Sequence, residues 1–115
     1  DAVALEIGAW HPSWGDIHLG PDGAIEAWKM LSGPLLPIHW GTFKLAVHPW
    51  TQPAERVLEL APAAGVELLM PRFGQPVEPG RNGRLDPWWR GLTASSAPAP
   101  ADATGLDAPV ENPED

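Results

Sequence analysis

Leu35-Leu36-Pro37-Ile38-His39-Trp40-Gly41-Thr42-Phe43 is the stretch on which the reading of this chain turns. An apolar run ends in a histidine, and a glycine follows two positions later. A short buried strand with a histidine at its C-terminal tip and a glycine turn behind it is placed to face a cleft. Ligands and metals gather at such strand ends. The neutral imidazole of His39 can ligate zinc, manganese or iron, or act as a base. One histidine does not hold a catalytic metal, because zinc needs about three protein ligands plus water. Either His39 has partners from elsewhere, or it is a core or interface histidine that donates to a backbone carbonyl.

Working outward, residues 2–7 are mostly apolar and end at Gly8, which suits a first strand. Residues 9–20 form a loop with Trp10, His11, Trp14 and His18. Pro21 fits the first turn of a helix, and Asp22 there favours the helix dipole. Ala24, Ile25, Trp28 and Leu31 recur at helical spacing and make one apolar face. Ser32-Gly33-Pro34 stops that helix. Residues 35–39 are the second strand, and residues 41–52 are a long connection containing Trp50. Thr51 can cap a second helix whose first turn tolerates Pro53. Its inward face is Val57, Leu58 and Ala61. Pro62 is expected to end or kink it, with Gly65 closing it. Residues 66–70 read as a third strand, and Trp88-Trp89-Arg90 as the last anchoring point. Strand, helix, strand, helix, strand predicts an α/β layer. Three strands and two helices make a thin core, which leaves room for a missing half-domain.

Composition narrows the function classes. With 115 residues the chain is one small domain or part of a larger one. Fifteen prolines and twelve glycines require short elements and frequent loops. No cysteine is present, which removes disulfides and thiolate metal sites. The net charge is −8, and five of the acids (Asp102, Asp107, Glu111, Glu114, Asp115) fall in residues 94–115, which hold no Lys or Arg. Nucleic acid is not an expected partner, since its phosphates require a basic surface. The chain begins at Asp1 and runs directly into a strand, so an excised or incomplete segment is expected.

The remaining candidates are weaker. His11, His18 and His48 sit in loops that would share an edge with His39 if the strands are parallel neighbours. Their spacings match no zinc-finger or His-Glu-x-x-His pattern, and His11 and His48 read best as solvated loop histidines. Asp16 lies near His18 and could orient it, although a solvated acid is the plainer reading. Seven tryptophans are many for this length. Trp28 reads as packing. Trp10, Trp14, Trp40 and Trp50 could line an apolar or lipid-binding pocket, meet a membrane interface, or simply pack the loops. There is no nucleophile elbow, phosphate-binding loop or dinucleotide fingerprint.

Ala4-Leu5-Glu6-Ile7-Gly8-Ala9-Trp10-His11-Pro12-Ser13-Trp14, then His18 before Pro21, then Ile38-His39-Trp40-Gly41-Thr42-Phe43 resembles the C-terminal part of metallo-β-lactamase-fold hydrolases. The branch is that of the N-acylphosphatidylethanolamine-hydrolysing phospholipase D group, next to the ascorbate-phosphate lactonase-like proteins. The likeness runs from about Asp1 to Arg90. It implies the C-terminal half of a four-layer αββα sandwich with two divalent metal ions, zinc foremost, at one edge. The family's final histidine ligand falls on His39, and His18 matches a substrate-side or outer-sphere position near the mouth. Most ligands, in a His-x-His-x-Asp-His motif and beyond, belong upstream. Glu6 stands where the family carries proline, and Ser13 where it carries arginine.

The resemblance implies hydrolysis of a phosphodiester of N-acyl phospholipids, or of a related ester or lactone, by a two-metal activated hydroxide. The expected partners are a small-molecule or lipid substrate, a membrane surface, and the N-terminal half of the same domain. A cytoplasmic or membrane-associated location would follow, and the 115 residues alone would be inactive. The other reading, from a different class, is a non-catalytic Trp-rich binding or interaction module. The expected domain is residues 1–90, and the expected tail is residues 91–115, rich in Ala, Pro and acids and disordered by composition. Truncation after Thr93 is expected to leave stability unchanged, measured by urea unfolding of the shortened chain beside the parent.

Overall fold

The computed structural model describes residues 1–81 and 83–92. The expected tail therefore lies outside the described residues, apart from Gly91 and Leu92. Four regular elements carry the fold: strand β1 (Val3–Glu6), helix α1 (Gly20–Lys29), strand β2 (Leu35–Ile38) and helix α2 (Gln52–Ala64). Two 3-10 segments, Pro12–Ile17 and Trp88–Gly91, complete it. The second ends one residue beyond the domain limit expected at residue 90.

The strands are parallel, with Val3 opposite Leu35 and Glu6 opposite Ile38. Parallel neighbours need a crossover, and α1 supplies it. Val3, Leu5, Ile7 and Leu35 share one face, and Ile7 and Leu35, with Leu5 beside them, pack with Ala24 and Ile25 of α1 and Ala54 and Val57 of α2. Ile7, Leu35, Ala24, Ala54 and Val57 lose all solvent contact. The opposite face carries Ala4, Glu6, Leu36 and Ile38, of which Ala4 and Ile38 remain exposed.

The third strand expected over residues 66–70 is reduced to one parallel bridge, Leu35 to Leu68. Its two bonds are Leu35 N–H to Glu67 O and Leu69 N–H to Leu35 O, both 2.8 Å. Prolines explain the truncation. The next rung of a parallel ladder would need donors from Pro37 and Pro71, and neither has an N–H. The freed Pro37 carbonyl accepts instead from Trp40 Nε1 at 3.1 Å.

α1 ends at Lys29, so Leu31 falls outside it and stays exposed, contrary to the expected apolar face. Trp28 anchors that end by donating from Nε1 to the Gly33 carbonyl at 2.7 Å. Thr51 occupies the N-cap of α2, yet its hydroxyl makes no capping bond. The helix passes through Pro62 to Ala64, where Gly65 closes it with φ 70°. A proline in the last turn forfeits one bond, and the helix stops before its ring can disrupt another turn.

Salt links tie the pieces together. Arg56 on α2 grips Asp22 on α1 through Nη2 at 2.7 Å and Nε at 3.1 Å. Glu55 on α2 accepts from Trp89 Nε1 at 2.7 Å and from both Nε and Nη2 of Arg90 at 2.8 and 2.6 Å. Trp89 is fully buried, so Glu55 fastens the C-terminal turn to the core. The Arg90 guanidinium holds the Glu55 carboxyl below its ordinary value, helped by Trp89 and opposed by burial. Arg56 does the same to Asp22.

A carboxylate with a depressed folded-state pKa contributes stability that is complete above its unfolded pKa and is lost as pH falls through its folded one. Stability is therefore expected to hold from neutrality down to about the ordinary glutamate value of 4.5 and to decline below it. Urea unfolding followed by tryptophan fluorescence across that range checks this, with Glu55→Gln expected to flatten the acid limb.

Candidate functional site

His39 follows directly on β2, and Glu6 is the last residue of β1. Parallel pairing puts Glu6 opposite Ile38, so Glu6 and His39 share one end of the sheet. His39 has φ 63°, a left-handed conformation uncommon for a side chain with a Cβ. Such strain gathers at ligand sites and turns. Gly41, with φ 83°, then lets the chain turn away.

Gly8 explains how the two strand ends come so close. A Cβ there would overlap the carbonyl oxygen of His39, so only glycine permits the contact. The chain then runs through the 3-10 segment, with a non-helical kink at Gly15, and returns His18 to the same spot. The His18 and His39 rings lie 4.9 Å apart at 30°. His18 Nδ1 is 3.1 Å from Glu6 Oε2, and Glu6 Oε1 accepts from Leu19 N–H at 3.0 Å. Glu6, His18 and His39 each present a ligand-capable atom within 4.8 Å of the other two. Glu6 and His18 are half-buried, and His39 is exposed. The Leu19 amide does most to pull the Glu6 carboxyl below its ordinary value; burial opposes it, and His18 and His39 assist.

The structure thus brings His18 beside His39 and adds Glu6, which residue-by-residue reading had not placed in a site. Glu6, rather than Asp16, is the carboxylate that meets His18. The signal was available in strand alternation: Val3, Leu5 and Ile7 take the helix face, so Glu6 must take the other. His11 and His48 lie outside this cluster, but His48 is half-buried, with Nε2 buried, and lines the groove beside His39 rather than standing as a solvated loop histidine. His11 Nδ1 accepts from Ser13 N–H at 3.1 Å and caps the 3-10 segment. His48 stacks on Trp10 at 5.4 Å, with Nδ1 2.9 Å from the Pro49 carbonyl.

Beside His39 runs a groove of about 530 Å³, lined by the end of β2, the loop after it, Pro53 at the start of α2 and residues 70–75. That size suits a small organic ligand. Leu36, Ile38, Trp40, Trp50 and Met70 make it apolar, and Lys44 and Arg72 lie along it. The loop tryptophans divide: Trp40 and Trp50 line the groove, whereas Trp14 packs near His11. Trp40 is held from behind by Trp88 and Trp89, at ring separations of 5.7 and 5.2 Å. Among the described residues no helix is long and apolar enough to cross a membrane.

No family model matches the chain. An uncharacterized protein of Mycobacterium bovis and uncharacterized proteins of two Mycobacterium tuberculosis strains are each 46% identical to it over 94 residues. The match takes in 78% of this chain and 25% of theirs, so the chain spans about a quarter of the length of these curated relatives.

Gly8→Ala is expected to push His39 off the β1 end and to destabilise the fold by about 1–3 kcal/mol, as overpacking does. Urea unfolding gives the free energy, and the imidazole NMR shifts of His39 report its displacement.

Proposed function

We propose that this chain is the C-terminal part of a metal-dependent hydrolase of metallo-β-lactamase fold, acting on the phosphodiester of N-acyl phospholipids or on a related ester or lactone. The observation that carries the reading is the meeting of His18 and His39, distant in sequence, at the end of a parallel strand pair and beside an apolar groove.

The donor set fits part of a metal centre. The His39 imidazole suits zinc, manganese or iron, His18 lies beside it, and Glu6, its oxygens engaged by Leu19 N–H and His18, backs the pair. A two-metal site needs more ligands than these, so further ones would come from outside this chain. His39 would hold one ion, and His18 would sit on the substrate side. When bound, the ion pair supplies an activated water nucleophile and neutralises charge on the oxygen under attack. The chain's own residues do the rest. Leu36, Ile38, Trp40, Trp50 and Met70 would take the apolar part of a substrate and exclude water from it. Lys44 and Arg72 would face its anionic group. Trp40, pinned by the Pro37 carbonyl and by Trp88, keeps the groove wall in place beside His39.

The groove with its two tryptophans also favours a second reading, a binding or interaction module that takes an apolar ligand without turning it over. Mutation separates the two. In the intact protein, His39→Ala is expected to abolish hydrolysis of an N-acylated phospholipid and of a lactone, and to lower bound zinc, with the fold retained. His18→Ala is expected to alter substrate handling more than metal content. Metal analysis beside turnover measures both. Full metal and full turnover in His39→Ala would remove His39 from the ligand set, and ligand binding without turnover in the parent would favour the module.

A further inference from the structure

Glu6 has both carboxylate oxygens engaged. Oε1 accepts from the Leu19 amide at the head of α1, and Oε2 lies 3.1 Å from His18 Nδ1. The helix fixes the direction of that amide, so it also fixes the carboxylate. An ionised carboxylate is an acceptor only. The hydrogen in the Glu6–His18 contact therefore belongs to Nδ1 of His18. A neutral imidazole with its proton on Nδ1 carries its lone pair on Nε2. His18 itself is half-buried, with the His39 ring 4.9 Å away and tilted by 30°, so its ring has little freedom to turn.

We propose that Glu6 is a positioning residue that selects the Nδ1-protonated tautomer of His18 and so presents a bare Nε2 as an acceptor at the site shared with His39. For its effect on turnover the proposal rests on the hydrolase reading. Glu6 acts here through His18 and touches neither substrate nor reacting atoms. The same carboxylate joins the end of β1 to the start of α1, which ties the orientation of His18 to the register of the strand pair.

The test uses the intact protein with 15N-labelled histidine, read by imidazole NMR where His18 is neutral. The expected spectrum has His18 protonated on Nδ1. Glu6→Ala is expected to return the ring to a tautomer mixture and to lower kcat by about 10–100-fold, as loss of a carboxylate behind a functional histidine does. Glu6→Gln has one carbonyl oxygen for two donors; with the Leu19 amide on that oxygen, the side-chain NH2 faces His18 Nδ1 and is expected to move the ring proton to Nε2 and to lower turnover as Glu6→Ala does. In a His18→Ala background, Glu6→Ala is expected to cause no further loss. A parent protein with its His18 proton on Nε2 overturns the proposal. So does a Glu6→Ala loss of the same size with and without His18, which would mean a purely structural role. If no ester or lactone is turned over, the hydrolase reading fails, and the tautomer measurement still decides the role of Glu6.

Discussion

The contact between the bare backbone of Gly8 and the carbonyl of His39 is the constraint on which the site depends. Parallel pairing of β1 and β2 brings the two strand ends side by side, but pairing alone leaves room for a Cβ. With glycine the chains close further, and Ile7 N–H reaches the Ile38 carbonyl at 3.0 Å. His39 is then forced into a left-handed turn directly beyond the last rung. The loop from β1 returns through the 3-10 segment to α1 and sets the His18 ring 4.9 Å from that of His39. The packing of Ile7 and Leu35 against both helices holds the pair rigid from the other side.

Proline acts in this fold mainly by withholding donors. Pro37 and Pro71 face each other across the gap where β2 and the third extended segment would continue. Neither offers an N–H, so the ladder stops after Leu35 and the two segments separate. The groove opens where they part: Pro37, Met70 and Pro71 all line it. The unused Pro37 carbonyl is taken by Trp40, which stands as the wall between groove and core. One missing hydrogen-bond rung thus produces both the opening and the fixture for its side.

The described carboxylates divide by task. Asp22 and Glu55 are held by arginines and join α1 to α2 and α2 to the C-terminal turn. These pairs are partly exposed, and pairs of that kind contribute modestly to stability while fixing geometry. Glu6 is held first by a backbone amide and only then by a histidine. An amide cannot lose or gain a proton in the working range, so it keeps the Glu6 carboxylate aligned toward His18.

Much of this protein is legible in local sequence. Pro21, Asp22 and the Ala24, Ile25, Trp28 spacing locate α1, and Pro53, Val57 and Gly65 locate α2, because capping and helical periodicity act over a few residues. The apolar run before His39 locates β2 for the same reason. The fate of residues 66–70 is not local: they have strand composition, and their pairing fails because of a proline on another segment. Leu31 keeps helical spacing yet falls beyond the last turn, since Trp28 and Gly33 close the helix first. In the site, the sequence by itself marks His39 by its place at a strand tip, while His18 stands apart from His11 and His48 chiefly through the family resemblance. Only tertiary structure brings His18 against His39, and only tertiary structure turns Glu6 from a strand residue into its partner. The physical reason is that a hydrogen bond between residues 12 apart depends on the path of the intervening loop. That path is set by the Gly8 contact, the strand register and the docking of α1, none of which is written in any one stretch of the chain.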